Sequence, residues 1–319
     1  MAHFTRRDVL RLGSLGVGAL GLSACRQGPA ATIEPLTQPP DFTVAFLTDS
    51  HVDGELGSAE GFRKAVRHAL DVQQPPEFLL MGGDQPMDIL ATGIDEADAQ
   101  FRLWDAAVED VAQDIHVCLG NHDILGISDE SPLTADHPKY GKNYFLQHFG
   151  LERAYYSFDH EGWHFVVLDS LAIEGSGYKG WIDEEQIAWL DDDLSASDKP
   201  TVIATHIPIF SNFIEYMRGT AEGIPGGVAV VNSHEVAPVI EKHDVRLVLA
   251  GHLHINESFL YKGTEYANVG AVSGNWWRGE RNGFQEGYTR LSFRGDALTK
   301  EYIDYGWEPP PEALEETPA

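Results

Sequence analysis

The chain has 319 residues, enough for one large α/β domain with a sizeable core, and its hydrophobic content of 43% is that of an ordinary globular protein. Fifty acidic against 22 basic side chains give a formal net charge of −28. Such a surface repels the backbones of DNA and RNA, which excludes a nucleic-acid scaffold as partner, and two cysteines alone, Cys25 and Cys118, exclude a disulfide framework.

The first segment reads as an export signal over residues 1–24. Thr5-Arg6-Arg7-Asp8-Val9-Leu10-Arg11 precedes a Gly/Leu-rich run too short and too glycine-rich to span a membrane. The paired arginines resemble a twin-arginine signal, with Val9 where phenylalanine is usual. Leu22-Ser23-Ala24-Cys25 resembles a lipobox, in which cleavage precedes the cysteine and its thiol is acylated. A plain export signal cut nearby, or an uncleaved anchor, is the alternative. Residues 25–40, rich in Pro, Gln, Ala and Thr, then form a lipidated cysteine and a flexible tether. The expected location is periplasmic or cell-surface, with the membrane as partner through Cys25.

From residue 41 the pattern is that of alternating strands and helices. Apolar runs at 43–47, 78–81 and 115–119 predict strands, and 3.6-residue spacing predicts helices at 59–72 and 95–112 between them. This rhythm argues parallel strands with crossover helices, which gather ligands at the strands' carboxyl ends. Beyond it, 155–158 and 164–168 read as a hairpin around Glu161-Gly162. A helix at 183–194 follows, then strands at 201–204, 246–250, 257–262, 264–269, 288–294 and 297–303. Residues 41–305 are read as one domain, and the proline-rich, acidic residues 306–319 as a disordered tail.

Five short signatures punctuate these strand ends: Asp49-Ser50-His51, Gly83-Asp84, Gly120-Asn121-His122-Asp123, Thr205-His206 and Gly251-His252-Leu253-His254. Each alone is common; together they supply four histidines, two carboxylates and an asparagine as metal donors, with His122 to spare. Mixed imidazole and carboxylate ligation suits Mn, Fe or Zn better than Mg or Ca. Two such divalent or trivalent ions sharing one aspartate can polarise a phosphate and acidify a water. Gly83, Gly120 and Gly251 fall where the chain must turn sharply close to the ions.

In this order the five signatures resemble the calcineurin-like metallophosphoesterase superfamily over residues 42–305. The resemblance implies a four-layer α-β-β-α sandwich of two mixed sheets. It implies Asp49, His51 and His254 on a first metal, Asn121, His206 and His252 on a second, and Asp84 bridging. His122 is then no ligand but the group assisting the leaving alkoxide while a metal hydroxide attacks phosphorus. Asp123 either orients His122 or caps its loop. Met87 stands where purple acid phosphatases carry an iron-ligating tyrosine, which disfavours that branch. The Gly-Asn-His-Asp form looks more like class III cyclic nucleotide phosphodiesterases and their bacterial relatives.

A small phosphoester, a phosphodiester ahead of a monoester or pyrophosphate, is the expected substrate. A non-catalytic metal-binding surface lipoprotein is the alternative of a different class. Three segments are candidate pocket walls. In 124–143, Lys139, Tyr140 and Lys142 either meet phosphate or belong to a solvated loop. Residues 207–232 are a candidate lid. In 271–287, Asn275, Trp276, Trp277 and Arg278 are candidates, and one of the adjacent tryptophans either stacks on substrate or packs in the core.

Overall fold

The computed structural model describes residues 38–219 and 224–315; the expected export signal, lipobox and most of the tether lie outside them. In chain order the elements are β1 Phe42–Leu47, α1 Ser58–Leu70, β2 Phe78–Met81, α2 Ile94–Val108, β3 Asp114–Val117, a 3-10 turn Asn121–Asp123 and α3 Asn143–Phe149. Then come β4 Tyr156–His160, β5 Trp163–Val167, β6 Leu171–Glu174, β7 Gly177–Gly180, α4 Glu184–Ala196, β8 Thr201–Thr205, α5 Phe213–Arg218 and α6 Ser233–Ile240. The last are β9 Val245–Ala250, β10 Glu257–Tyr261, β11 Thr264–Asn268, β12 Gly287–Arg294, β13 Ala297–Asp304 and α7 Pro311–Glu315.

These strands make two mixed sheets, ordered β13-β12-β1-β2-β3 and β10-β11-β9-β8-β5-β4, plus the small hairpin β6-β7. β1, β2 and β3 run parallel in the first sheet, and β5, β8, β9 and β11 in the second. The antiparallel strands lie at the margins, as expected where hairpins rather than helical crossovers make the connection.

The strand sequences explain why the sheets face each other. In β1, Val44 and Phe46 enter one apolar cluster while Ala45 and Leu47 enter another, as a period of two requires. The first cluster is the layer between the sheets, joining Phe42, Val44 and Phe46 to Phe78, Phe165, Leu247, Leu249 and Phe293. The second lies under the helices, with Phe62 and Val66 of α1 and Trp104 of α2. Strands buried on both faces read as continuous apolar runs, the pattern that made them legible.

Two expectations change. Residues 306–315 are not a disordered tail. Trp307 meets Trp277 edge-on with ring centroids 5.3 Å apart, and Ala313 on α7 is buried. Apolar anchorage outweighs the local Pro/Glu composition there. Residues 124–143 are not an open loop either, because Leu125 and Gly141 form a bridge that folds the segment back on itself.

The helix layer also braces the strand ends. Gly61 of α1 lies against Trp277, and a Cβ at Gly61 would fall 2.2 Å from the indole. Trp277 in turn donates its indole N–H to the His51 carbonyl at 2.8 Å. Gly61→Ala is therefore expected to destabilise the fold by about 1–3 kcal/mol through overpacking and to weaken whatever His51 binds. Urea denaturation and metal titration of the variant check this. An unchanged midpoint would mean that α1 yields and the brace is soft.

Candidate functional site

The parallel strands end at one rim of the sandwich, and the five signatures follow them there. Asp49 and His51 leave β1, Asp84 leaves β2, Asn121 follows β3, His206 follows β8, and His252 and His254 follow β9. Three groups result, Asp49/His51/His254, Asp84/His206/His252 and His51/Asp84/His122, each with ligating atoms within 4.8 Å of one another. Asp84 is common to two of them. His254 Nε2 lies 3.2 Å from Asp49 Oδ1, and His206 Nε2 lies 3.1 Å from Asp84 Oδ2 and 3.0 Å from Asn121 Oδ1.

The backbone is strained to achieve this. Asp49, His51, Asp84, His252 and His254 all have positive φ, between 41° and 70°, as do Trp276 and Trp277 beside them. For residues with a side chain this costs on the order of 1–3 kcal/mol each, and it persists where surrounding structure imposes it. Of the flanking glycines, Gly83 is needed for conformation as well as space, with φ +101° and His206 2.4 Å from where its Cβ would be. Gly120 is needed for space alone, since a Cβ would meet the Asp84 backbone nitrogen at 2.1 Å.

Hydrogen bonds fix which ring nitrogen faces inward. The Nδ1–H of His51 donates to Met87 O, that of His206 to Gly82 O and that of His254 to Gly274 O. His252 uses its other nitrogen, with Nε2–H donating to Gly227 O, which turns Nδ1 inward. Carbonyl partners of this kind hold the tautomer of metal-binding imidazoles. His51 Nε2 and His254 Nε2 are then 3.2 Å apart with both ring protons already committed. Two lone pairs at that separation repel each other unless a cation sits between them, so the donor set fits a metal.

Four of the buried donors are already in a metal-binding form; His206 is not, since burial would lower it but Asp84 outweighs burial and raises it to about 9, so a bound cation must displace its proton. Burial lowers His51 to about 3, helped by His122, and burial lowers His252 to about 4, helped by His206, so both are neutral. Burial alone would raise Asp84, but His206, His122 and His51 outweigh it and hold the carboxyl well below its usual range. Asp49 is likewise depressed, His254 and His206 overcoming burial. Neutral imidazoles and ionised carboxylates are the forms that bind metal.

A model of the calcineurin-like phosphoesterases matches residues 42–256. The chain belongs to that family. Its members work with a dinuclear metal centre and hydrolyse phosphoric esters, and this family member carries the His/Asp clusters for such a centre. It is 28% identical over 222 residues to a probable cyclic nucleotide phosphodiesterase of Synechococcus, covering 66% of this chain and 73% of that one. It is 27% identical over 237 residues to purple acid phosphatase 22 of Arabidopsis thaliana, covering 70% of this chain but 47% of that one. In fold it resembles a dimetal phosphatase from Danio rerio, with a TM-score of 0.58, 16% identity, and coverage of 84% and 100%.

The phosphoesterase cleft, about 370 Å³, is lined by His51, Asp84, Asn121, His122, His252 and His254. Tyr178, Phe213, Ile214, Gly227, Val228, Leu253, Trp276 and Arg281 complete its walls. His122 stands at its edge, 23% exposed, with Nε2 4.0 Å from Asp84 and Nδ1 3.7 Å from Asp88. Asp123 does not orient that ring. Its carboxylate accepts the backbone N–H groups of Asp84, Gln85 and Gly120 at 3.1, 3.0 and 2.6 Å, so it locks the two ligand loops together. The carboxylate beside His122 is Asp88.

The lysine-bearing segment does not reach the cleft. Lys142 pairs with Asp169 at 2.6 Å, Lys139 faces Asp98 at 3.7 Å, and Tyr140 packs on the core. In so acidic a chain these cations are drawn to nearby carboxylates instead. Of the second group, Asn275 and Trp276 line the cleft or its outer extension. Trp277 is wholly buried, and Arg278 lines neither cavity. Asp88, Tyr178 and Arg281 were missed; only for Arg281, within the wall segment 271–287, did the sequence hold a signal.

Because Asp84 groups with His206 and His252 and also lies 3.7 Å from His51 of the other ligand group, Asp84→Asn is expected to lower metal stoichiometry from two ions per chain to one or none. Asp123→Asn should weaken both sites while keeping the ligands. Elemental analysis after dialysis checks both, and two retained ions in Asp84→Asn would remove Asp84 from its central place.

Proposed function

We propose that this protein is an exported, lipid-anchored phosphodiesterase. The observation that carries the hydrolytic reading is one buried carboxylate, Asp84, shared by two histidine groups beneath an imidazole that retains its proton. Asp49, His51 and His254 would hold one cation, Asn121, His206 and His252 the other, with Asp84 between them. When bound, these ions would neutralise the phosphoryl oxygens and make a water acidic enough to attack at neutral pH.

The chain's own part is proton delivery and shape. Burial would lower His122, but Asp84 and Asp88 outweigh it and raise the imidazole to about 9. It is thus protonated at neutral pH. As the oxygen of water bonds to phosphorus and the ester P–O bond breaks, His122 gives its proton to the leaving oxygen, and the proton shed by water passes to solvent. Phe213, Ile214, Val228 and Leu253 give the cleft apolar walls, suited to a second ester substituent and to keeping bulk water off the reacting group.

A diester is favoured over a monoester by this walled cleft and by the Synechococcus relative's description. The monoesterase alternative rests on the acid phosphatase relative, but Met87 takes the tyrosine position, and it contributes a backbone carbonyl to His51. Export and anchoring rest on Arg6-Arg7 and Leu22-Ser23-Ala24-Cys25. Among the described residues no helix is long and apolar enough to cross a membrane; attachment through a lipid on Cys25 is proposed from the lipobox-like residues.

Hydrolysis of bis-p-nitrophenyl phosphate against p-nitrophenyl phosphate, with Mn, Fe or Zn loaded and Asp84→Asn as blank, tests the assignment. Diester preference supports it, monoester preference replaces it with a phosphatase, and no turnover above the blank leaves a metal-binding lipoprotein. His122→Ala is expected to retain metal and lose about 10²–10⁴-fold in kcat. Activity should fall as pH rises through the His122 titration. That limb should lie below about 9 in the loaded protein, because cations beside Asp84 offset the charge that raises His122. Asp88→Asn should move the limb to still lower pH; an unmoved limb would show that Asp88 does not act on the imidazole.

A further inference from the structure

The cleft opens outward into a second cavity of about 400 Å³, lined by Phe213, Ile214, Met217, Asn275, Trp276, Glu280, Arg281 and Asn282. Phe213, Ile214, Trp276 and Arg281 border both spaces, so they stand at the passage between metal centre and outer chamber. Arg281 is the one lysine or arginine among the described residues lining the inner cleft.

Three features hold Arg281 in place. It begins a two-residue turn in which Asn282 and Gly283 both have positive φ, closed by paired backbone bonds between Arg281 and Phe284 at 2.9 Å. This is the tight hairpin geometry that fixes its flanks. Its guanidinium carbon lies 4.3 Å from the centre of the Trp276 ring, a cation–π contact. Trp276 is itself held in the left-handed region at φ 49°, 4.9 Å from the His254 ring. The guanidinium is therefore no more than about 9 Å from a metal-ligating imidazole, across a single indole.

What Arg281 lacks is an acceptor. Its Nη1 is shielded from solvent and has no hydrogen-bond partner among the described residues. The acidic residue lining the chamber, Glu280, accepts from Gln285 at 2.7 Å. An unsatisfied buried donor costs stability, more so when charged. In a chain with net charge −28, an arginine at the mouth with no ion pair among the described residues departs from the pattern seen at Lys139 and Lys142. Trp276, with Arg281 over its ring and His254 beside it, serves as the arginine's support rather than as an open platform for a base.

We propose that Arg281, seated on Trp276, is a specificity-determining receptor for a second phosphate on the substrate's leaving-group side. This rests on the hydrolase reading of the metal centre and narrows it to phosphoesters bearing a further phosphate next to the scissile one. The planar guanidinium offers that group paired N–H donors. Phe213, Ile214 and Met217 cover the organic remainder, and Asn275 and Asn282 supply neutral hydrogen bonds.

The test pairs probes that differ by one phosphorus. Dissociation constants of methylphosphonate and methylenediphosphonate are measured by calorimetry on the metal-loaded protein, and kcat/KM, read as chromatographic release of thymidine monophosphate, on the p-nitrophenyl esters of thymidine mono- and diphosphate, so that in the diphosphate the leaving group carries the second phosphate. Arg281→Met is expected to weaken both, but the two-phosphorus member of each pair by a further factor of about 20, mainly through KM, as loss of a charge-assisted pair implies. Arg281→Lys should recover part of that factor, whereas a merely structural role would affect both members alike. Equal losses on both members, with wild-type turnover intact, would falsify the receptor assignment and leave the hydrolase reading standing. Wild-type protein that turns over neither ester but still binds the diphosphonate through Arg281 would sink the hydrolase reading and keep the receptor.

Discussion

The structure turns on one buried carboxylate. Asp84 accepts the His122 backbone N–H at 2.8 Å, lies 3.1 Å from His206 Nε2 and 3.7 Å from His51 Nε2, and has almost no solvent exposure. An ionised group there is tolerable only with positive charge around it. Everything near Asp84 can be understood as either supplying that charge or holding the suppliers at the right distance. Asp123 belongs to the second category: by accepting from Asp84, Gln85 and Gly120 together, it joins the loops after β2 and β3, so Asp84 and Asn121 cannot drift apart.

The two sheets divide the work. The first delivers Asp49, Asp84 and Asn121, and the second delivers His206, His252 and His254. Carboxylates and amide come from one layer and most imidazoles from the other. The spacing between the halves is therefore set by the aromatic packing between the sheets, where Phe78 meets Phe165 at 5.1 Å and Phe165 meets Phe293 at 5.7 Å. Close-packed interiors do not deform continuously, and this stiffness lets strained residues at the rim keep their positive φ. The core is thus part of the site's geometry, remote as it is from any ligand.

Much of this was legible in the sequence, for a reason that also sets the limit. Metal donors must be particular residue types, and the turns that carry them need glycine or a strand end, so Asp49 through His254 announce themselves locally. The fold followed from continuous apolar runs and helical runs between them. What could not be read were relations between distant segments. Asp88 resembles any loop aspartate until β2 and β3 bring it beside His122. Lys142 looks like a phosphate ligand until Asp169, 27 residues on, claims it. Tyr178 is placed by the hairpin β6-β7, whose Gly177-Tyr178-Lys179-Gly180 strand has too little alternation to be seen. The C-terminal tail failed in the same way: its composition favours disorder, but Trp307 finds Trp277, which no local pattern records.

Charge ties the site to the rest of the molecule. A chain carrying −28 repels phosphates over most of its surface, so a phosphoester can approach productively only where the field reverses. Two divalent cations held against Asp49 and Asp84 would leave a positive surplus, and protonated His122 and Arg281 extend it outward along the cleft. Before metals bind, protonated His122 and His206 only balance those two carboxylates. Metal loading would therefore strengthen phosphate attraction at the cleft. The acidity of the surface sharpens the contrast, because the loaded centre becomes an attractive island in an otherwise repulsive field.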